Sequence, residues 1–478
     1  MYSHARNTVS NPVIVVSVVE LIRQRHIMTH MHEQDYRENL GDGYTLRWAN
    51  RDDDASLVAL YDTVFDDNPL YVSAYVMAQI AGTSPVGVPD DVAVVSDEHN
   101  RIVAATLLLR MPIDYAGVAI PAGRPEIVAT HPDVRNRGFV RRIFQLIHAR
   151  SAYRGDLLQG ITGIPYYYRQ FGYEYALTLG GNYQLPFSSI PAGAPDQSDT
   201  ISLRRATNDD IMPLLMLYER DKRRIHNHQP MLVTSRVDAT YMRHTIHTTQ
   251  SHDPWVPYLI VSDNDTIVGS IFTNRMRFGA IEIRSLTTEP HVPLHTIFDA
   301  LCRQIMQLAL TMPTNNAHTS APSEIQFWLG VAHPAYPLIA RSPHQVNRPY
   351  GWYIRVADIA RLLQHIVAPL EKRLSQSSLA GYTGTLQIEM YRDGLQIDIV
   401  KGKITAQAWK RNGPWQSNRS PGAPQAAYPP LVILQQIFGL HSLAELRDFY
   451  PDVYASHEAY QLLDVLFPKQ ASWLLPLD

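Results

Sequence analysis

A repeat constrains this chain more than any other feature. "TLRWANRDDDASLVALYD" begins at Thr45 and "SLRRATNDDIMPLLMLYE" at Ser202. At a constant offset of 157 residues, Leu46, Arg47, Ala49, Asp52 and Asp53 match Leu203, Arg204, Ala206, Asp209 and Asp210. Leu57, Leu60 and Tyr61 likewise match Leu214, Leu217 and Tyr218. Each copy reads as a strand, an Asp-rich helix start and an amphipathic helix. Aspartate in the first turn caps free amides and suits the helix dipole. The Leu, Leu and Tyr positions fall at i, i+3 and i+4, on one helical face. The likeness continues in two hairpin signals, "VVSDEHNRIVAATLLL" (94–109) and "IVSDNDTIVGSIFTN" (260–274). One long period means a duplicated α/β domain and not a solenoid.

A third region breaks the pattern. "GTLQIEMYRDGLQIDIVKGKITAQAW" (384–409) alternates with period two. Glycines in Arg392-Asp393-Gly394 and Lys401-Gly402 supply the positive φ of tight turns, so three strands are expected. An amphipathic helix over 356–374 precedes them, and helical segments near 430–438, 442–448 and 456–466 follow a Pro/Gly/Asn-rich loop. The boundaries read as an N-terminal extension over 1–43, two related domains over 44–195 and 196–376, and a small α+β domain over 377–478. At 478 residues the chain has the length for two to four domains.

The formal net charge of −3 argues against a general nucleic-acid or anionic-membrane binder, so any basic site must be local. The single cysteine, Cys302, sits in an apolar helical pattern with Leu301, Ile305 and Leu308 and reads as a buried structural thiol. "NPVIVVSVVELI" (11–22) is too short to span a bilayer, and no small-residue cleavage site follows it. A cytoplasmic location is expected. His26, His30 and His32 with Glu33 read as a solvated tail, and His226/His228 and His244/His247 lack a carboxylate at metal-site spacing, so no metal is expected. There is no G-x-S-x-G elbow, no GxxxxGK[ST] loop and no glycine-rich dinucleotide fingerprint.

The local basic site is "HPDVRNRGFVRR" (131–142). An apolar strand ending at Thr130 leads into it, and a helix is expected from near Gly138. A helix start presents unpaired amides and the positive end of the dipole. Gly138 has no Cβ, so a phosphate can approach the backbone. Arg135, Arg137 and Arg141 add bidentate donors. A pyrophosphate cradle and a solvated basic turn both fit this string. The sequence downstream weighs for the cradle: a second apolar strand, "DLLQGIT" (156–162), then "GIPYYYRQFGYEYA" (163–176).

Strand, basic turn, helix, strand and Tyr-Arg-x-Phe-Gly-Tyr, in that order, resemble the GNAT N-acetyltransferase superfamily. Its Arg/Gln-x-x-Gly-x-Gly/Ala motif reads here as Arg135-Asn136-Arg137-Gly138-Phe139-Val140, with valine in place of the last small residue. Two tandem GNAT-type domains and a small terminal domain resemble the enhanced intracellular survival (Eis) acetyltransferases over about residues 44–478. "YYRQFGYEYA" and "LLDVLFPKQASWLLPLD" are typical of them.

The resemblance implies an α/β (α+β) fold of two GNAT domains and a sterol-carrier-like domain. It implies acetyl-CoA as co-substrate in the first domain only. Val128, Ala129 and Thr130 would bind the pantetheine arm. Arg135, Asn136, Arg137, Gly138, Phe139, Val140 and Arg141 would hold the pyrophosphate, with Gly163 and Ile164 near the thioester. Tyr168, three residues before Phe-Gly-Tyr, would be the general acid, with Tyr166 and Tyr167 as adjacent registers. The terminal carboxylate of Asp478 would be the general base; the family ends in an aromatic residue and this chain in aspartate. The second domain has "TTEPHVPLHTIFDA" (287–300) where the first has its arginines, so it should bind no CoA. The expected activity is acetyl transfer to a primary amine, aminoglycoside- or polyamine-like or a peptide lysine, by a homo-oligomer. The alternative is a catalytically silent CoA- or lipid-binding scaffold of the same fold.

Overall fold

The computed structural model describes residues 30–65, 69–193, 200–226, 228–247, 255–273, 279–312, 321–331, 333–391, 393–410 and 423–475. Asp478, and the turn residue Arg392, lie outside them.

The duplication is visible element by element. In the first copy β1 (Arg37–Gly41), β2 (Tyr44–Trp48), β3 (Val92–Ser96), β4 (Ile102–Arg110), β5 (Ala122–Thr130), β6 (Leu158–Ile161) and β7 (Glu174–Leu179) follow in order. After β8 (Asn182–Pro186) the second copy runs through β9 (Ile201–Arg205), β10 (Val256–Ser262), β11 (Ile267–Thr273), β12 (Ala280–Thr288), β13 (Glu324–Phe327), β14 (Gln345–Asn347) and β15 (Tyr350–Arg355). The matched helices are α1 (Asp54–Val64) and α2 (Pro69–Ile80) in one copy, and α3 (Ile211–Lys222) and α4 (Ala239–His247) in the other. The long helices that follow the grooves are Phe139–Tyr153 and Leu294–Thr311. The fold is mixed α/β. Residues Arg37–Gly41, within the stretch read as an extension, form an edge strand on β2, and Met31 is buried with its carbonyl accepting from Trp48 Nε1.

The two halves exchange their last strands. The first sheet has the order β1-β2-β3-β4-β5-β6-β15-β7, and the second has the order β9-β10-β11-β12-β13-β8-β14. Strand β15 therefore fills the slot between β6 and β7 of the first half, and β8 fills the slot between β13 and β14 of the second. The crossing needs close backbone approach. Gly180 and Gly181 carry φ of 61° and 79°, and a Cβ on Gly181 would lie 2.7 Å from the Pro349 ring. Neither half closes its own sheet, so a cut at residues 195/196 would separate strands from their sheets.

The repeated residues build the seam. Leu57, Leu60 and Tyr61 of α1 and Leu214, Leu217 and Tyr218 of α3 share one buried cluster. The repeated Arg and Asp form matching ion pairs under each helix start. Arg47 grips Asp53 bidentately at 2.6 and 2.7 Å, and Arg204 grips Asp210 at 2.9 Å through both nitrogens. Both aspartates also take part in capping boxes. The pairs differ in solvent access: the Arg47 side chain is 5 % exposed and that of Arg204 40 %. Breaking a buried pair from one side strands a charge, whereas an exposed arginine is rescued by water. Asp53→Ala is expected to cost about 3–5 kcal/mol of stability and Asp210→Ala about 1 kcal/mol beyond the shared capping loss. Denaturant titration of both variants checks this, and equal losses would count against it.

The third unit is a five-stranded sheet, with Gly384–Met390, Asp393–Val400 and Lys403–Trp409 antiparallel as the alternation predicted. Lys401 and Gly402, with φ of 50° and 81°, make its two-residue turn. The expected helix over 356–374 is two, Ile359–His365 and Val367–Ser375. Cys302 is buried. Residues 471–475 return to the seam alongside Val233–Ser235.

Candidate active site

The two strands that would cradle a ligand part company early. Strand β5 runs antiparallel to β4 throughout but parallel to β6 only at Ala122–Leu158 and Gly123–Gln159. Beyond Gly123 its edge facing β6 has no strand partner among the described residues. A bulge against β4 places Ile127 at φ 48°, and the Tyr61 hydroxyl donates to the Ile127 carbonyl at 3.1 Å. Past the bulge, Val128, Ala129 and Thr130 form the open edge. Ala129 is buried, and Thr130 Oγ1 is buried with no hydrogen-bond partner among the described residues. An orphaned hydroxyl there suits a polar ligand lying along the strand.

The arginine turn continues from that edge. Asn136 and Gly138 take left-handed φ of 66° and 79°, and Gly138 is the N-cap of the helix Phe139–Tyr153. A Cβ at Gly138 would meet nothing within 4 Å, so the approach to the backbone is open. The first-turn amides have no acceptor within the helix. Phe139 is buried against Tyr44 and anchors the helix start, while Val140 packs on the aromatic cluster described below. The arginines are held loosely at the rim. Arg135 Nε lies 3.5 Å from the Thr130 carbonyl, Arg137 reaches Asp42 at 3.4 Å, and Arg141 donates to Gln170 at 2.7 Å. Arg142 points elsewhere, to Glu38 and Gln145. Open amides, an accessible glycine and three rim guanidinium groups fit a diphosphate.

Across the opening stands Tyr168. Gly163, at φ 120°, follows β6, and a Cβ there would lie 3.8 Å from the Tyr168 hydroxyl. Of the three adjacent tyrosines, Tyr168 is 4 % exposed while Tyr166 is 70 % exposed. The Tyr168 ring packs among Phe144, Tyr167, Tyr173 and Tyr353 at centroid distances of 5.2 to 6.3 Å. Burial pushes the phenol above the usual tyrosine range, and the nearby Glu126 carboxylate adds to the shift.

Sequence reasoning missed the residues that hold Gly163 and Ile164 in place. Tyr350 donates to the Gly163 carbonyl at 2.9 Å, and Tyr353 lies 3.2 Å from the Ile164 carbonyl. The Tyr175 hydroxyl sits between these two phenols, 2.6 Å from that of Tyr353. Tyr350 and Tyr353 belong to β15, so the second half of the chain supplies part of the first half's site. Glu126 was missed as well. It is the carboxylate on β5 beside the bulge, its side chain 17 % exposed, paired with Arg124 at 2.6 Å and close enough to raise Tyr168 and Tyr61. Its signal was legible: a lone acid in the otherwise apolar run "EIVA".

The second half has the same splay and fills it with protein. Strands β12 and β13 pair in parallel from Ala280–Glu324 to Ile283–Phe327 and then separate. With Ala129-Thr130 matched to Thr287-Thr288 by their equivalent pairing, Leu286 stands where Val128 stands in the first half, and its carbonyl lies 3.0 Å from His333 Nε2, a buried ring. Burial, with the nearby Arg224 cation, holds that imidazole well below its usual range, so it is neutral. The helix Leu294–Thr311 starts behind Pro293 with no glycine or arginine before it.

Residues 45–176 match the sequence family described as "Acetyltransferase (GNAT) domain". No curated protein matches the sequence at a significant level. Solved structures that resemble the chain include a GCN5-related N-acetyltransferase from Anabaena variabilis, at TM-score 0.60 and 15 % identity, covering 90 % of this chain and 99 % of that one. A conserved Enterococcus faecalis protein of unknown function, described as a probable N-acyltransferase, aligns at TM-score 0.62 and 15 % identity over 90 % and 98 % of the two chains. Eis1 from Mycobacterium abscessus aligns at TM-score 0.54 and 13 % identity over 90 % and 98 %. At such identities the structures speak for the fold, and the family match makes residues 45–176 a GNAT acetyltransferase domain, a domain type that uses acetyl-CoA. The enzyme class that this domain gives is acetyltransferase of the GNAT type. Among the described residues no helix is long and apolar enough to cross a membrane, and no group of three or more His, Cys, Asp or Glu is placed to hold a metal ion.

Proposed function

We propose that this chain transfers an acetyl group from acetyl-CoA to a primary amine of an aminoglycoside- or polyamine-like acceptor, or of a peptide lysine, by direct attack. The observation that carries the reading is the continuity of the first groove. One strand edge runs from the Tyr168 hydroxyl and Gly163 at one end to the amides and arginines of 135–141 at the other. The second groove, its Leu286 carbonyl already taken, supports one cofactor site per chain.

When bound, acetyl-CoA supplies the activated acyl carbon and a thiolate leaving group. The chain's own residues do the rest. Backbone groups of Val128, Ala129 and Thr130 orient the pantetheine. Arg135, Arg137 and Arg141, with the amides from Asn136 to Val140, neutralise the pyrophosphate. A carboxylate accepts the amine proton as the new N–C bond forms and the C–S bond breaks. Tyr168 gives its proton to the departing sulfur. Two carboxylates are candidates for the base: Asp478, from the family resemblance, and Glu126, from its place beside the bulge. The third unit is assigned a sterol-carrier-like fold on the same resemblance, and the working form a cytoplasmic homo-oligomer.

Calorimetric titration with acetyl-CoA, followed by thiol release in the presence of a panel of amines, tests this reading. One saturable site per chain and amine-dependent thiol release are expected. Removing a charged hydrogen bond to the pyrophosphate weakens binding about 10-fold, so Arg141→Ala is expected to raise the dissociation constant by that much. Binding without thiol release on any amine would leave a CoA-binding scaffold. No binding at all would remove the acetyltransferase reading.

A further inference from the structure

Three phenols end on one peptide bond. Each has a single hydrogen to give. Tyr350 gives its own to the Gly163 carbonyl at 2.9 Å. The Tyr175 hydroxyl is hydrogen-bonded to that of Tyr350, whose hydrogen is already placed, so Tyr175 is the donor there. With the Tyr175 hydrogen spent, the 2.6 Å bond between Tyr353 and Tyr175 is donated by Tyr353. The chain therefore runs one way, from Tyr353 through Tyr175 and Tyr350 to the Gly163 carbonyl. Hydrogen bonds aligned head to tail polarise one another, and the last acceptor takes the combined pull.

The peptide bond passes that pull on. Its resonance joins the Gly163 oxygen to the Ile164 nitrogen, so drawing electrons onto the oxygen makes the Ile164 N–H a stronger donor. Among the described residues no peptide is cis, so this N–H points away from the carbonyl. Strand order says where it points. Strand β6 lies between β5 and β15. It pairs with β15 as far as Ile161–Tyr353, and the same antiparallel register carried on sets Ile164 opposite Tyr350. The Gly163 carbonyl thus faces the β15 side and the Ile164 N–H the β5 side, across the splay. There the register of Gly123–Gln159, carried on, places Val128. The Ile164 amide has no acceptor among the described residues. Pro165 has no N–H, and the Tyr166 amide is turned to the Tyr175 hydroxyl at 3.4 Å. The Tyr168 hydroxyl is close by, 3.8 Å from where a Cβ on Gly163 would stand.

We infer that the Ile164 amide is the donor that holds the charge gathering on the acyl oxygen, and that Tyr350, Tyr175 and Tyr353 tune it through the Gly163 carbonyl. The amide takes up that charge as the N–C bond forms. It yields it as the carbonyl re-forms and the C–S bond breaks, the sulfur taking its proton from Tyr168. The three phenols are positioning residues, because they act through the peptide. Two of them come from β15, so the exchanged strand gives the second half a share in the chemistry of the first. The inference rests on the acetyltransferase reading.

The test uses the full chain and phenylalanine variants, which keep every ring. Tyr350→Phe removes the bond to the carbonyl and is expected to lower kcat about 10-fold, with the acetyl-CoA dissociation constant within about two-fold of the parent. Tyr175→Phe removes only the reinforcement of that bond, for a loss of about two-fold, and Tyr353→Phe is expected to lose less still. Packing alone predicts the reverse order, since Tyr353 is fully buried and Tyr350 is 40 % exposed. The second readout needs no turnover. Infrared difference spectra of acetyl-CoA, isotope-labelled at its acyl carbonyl carbon, are expected to show that stretch lowered on binding to the parent and moved back toward its free position in Tyr350→Phe. An unchanged stretch in Tyr350→Phe that still binds acetyl-CoA, or kinetic losses in the reverse order, would overturn the donor and leave the acetyltransferase reading standing. A parent that binds no acetyl-CoA would overturn both, and the titration alone reveals that case.

Discussion

Tyr168→Phe is expected to lower kcat about 10²-fold and to leave acetyl-CoA affinity unchanged within error. The substitution removes one oxygen and little else. Its ring is held by Phe144, Tyr173 and Tyr353, and phenylalanine makes the same ring contacts, so folding should be preserved. General acid catalysis contributes roughly 10² to 10⁴ in rate. The lower end applies here, because a thiol of pKa about 8.5 departs with little assistance. The pH profile supplies a second readout. The acid must be protonated to act, and burial raises its pKa, so the active form persists to higher pH than for an exposed phenol. Any alkaline fall in kcat/KM that Tyr168 causes must therefore lie above about pH 10. A limb below that pH belongs to another group and should survive in the variant. Full turnover in Tyr168→Phe would reduce the tyrosine to packing.

The local parts of this fold were legible because the duplication wrote them twice. Arg47 with Asp53, and the Leu57-Leu60-Tyr61 face, recur at one offset, and each recurrence proved to be an ion pair or a share of the seam. The glycine at 138 and the arginines around it marked the helix start for the same local reason: backbone conformation and charge are encoded within a few residues. The strand exchange was not legible. Nothing in "GNYQLP" or "YGWYIR" says which sheet each completes, since both halves present equivalent slots and period-two alternation is satisfied by either. That single non-local fact hid Tyr350 and Tyr353 from a reading that sought the site within the first half. The packing of Trp473 was hidden likewise: it is buried against Gly330, Tyr218 and Arg224, all far away in sequence.

Exchanging Glu126 for glutamine separates the two candidate bases. Glu126 is part of the first groove, and glutamine keeps an oxygen to accept from Arg124, so the pair's geometry is retained while the carboxylate's basicity is lost. If Glu126 accepts the amine proton, Glu126→Gln lowers kcat about 10²- to 10⁴-fold with acetyl-CoA affinity preserved. The acid limb of the pH–rate profile should disappear with it, since the unprotonated base is the active form and glutamine does not titrate. Deleting residues 476–478 is the matching experiment. If the Asp478 carboxylate is the base, that deletion produces the same loss, and Glu126→Gln retains both its turnover and its acid limb. If both variants fall and the double variant falls no further, the carboxylates act as one unit, with one setting the other's position or charge.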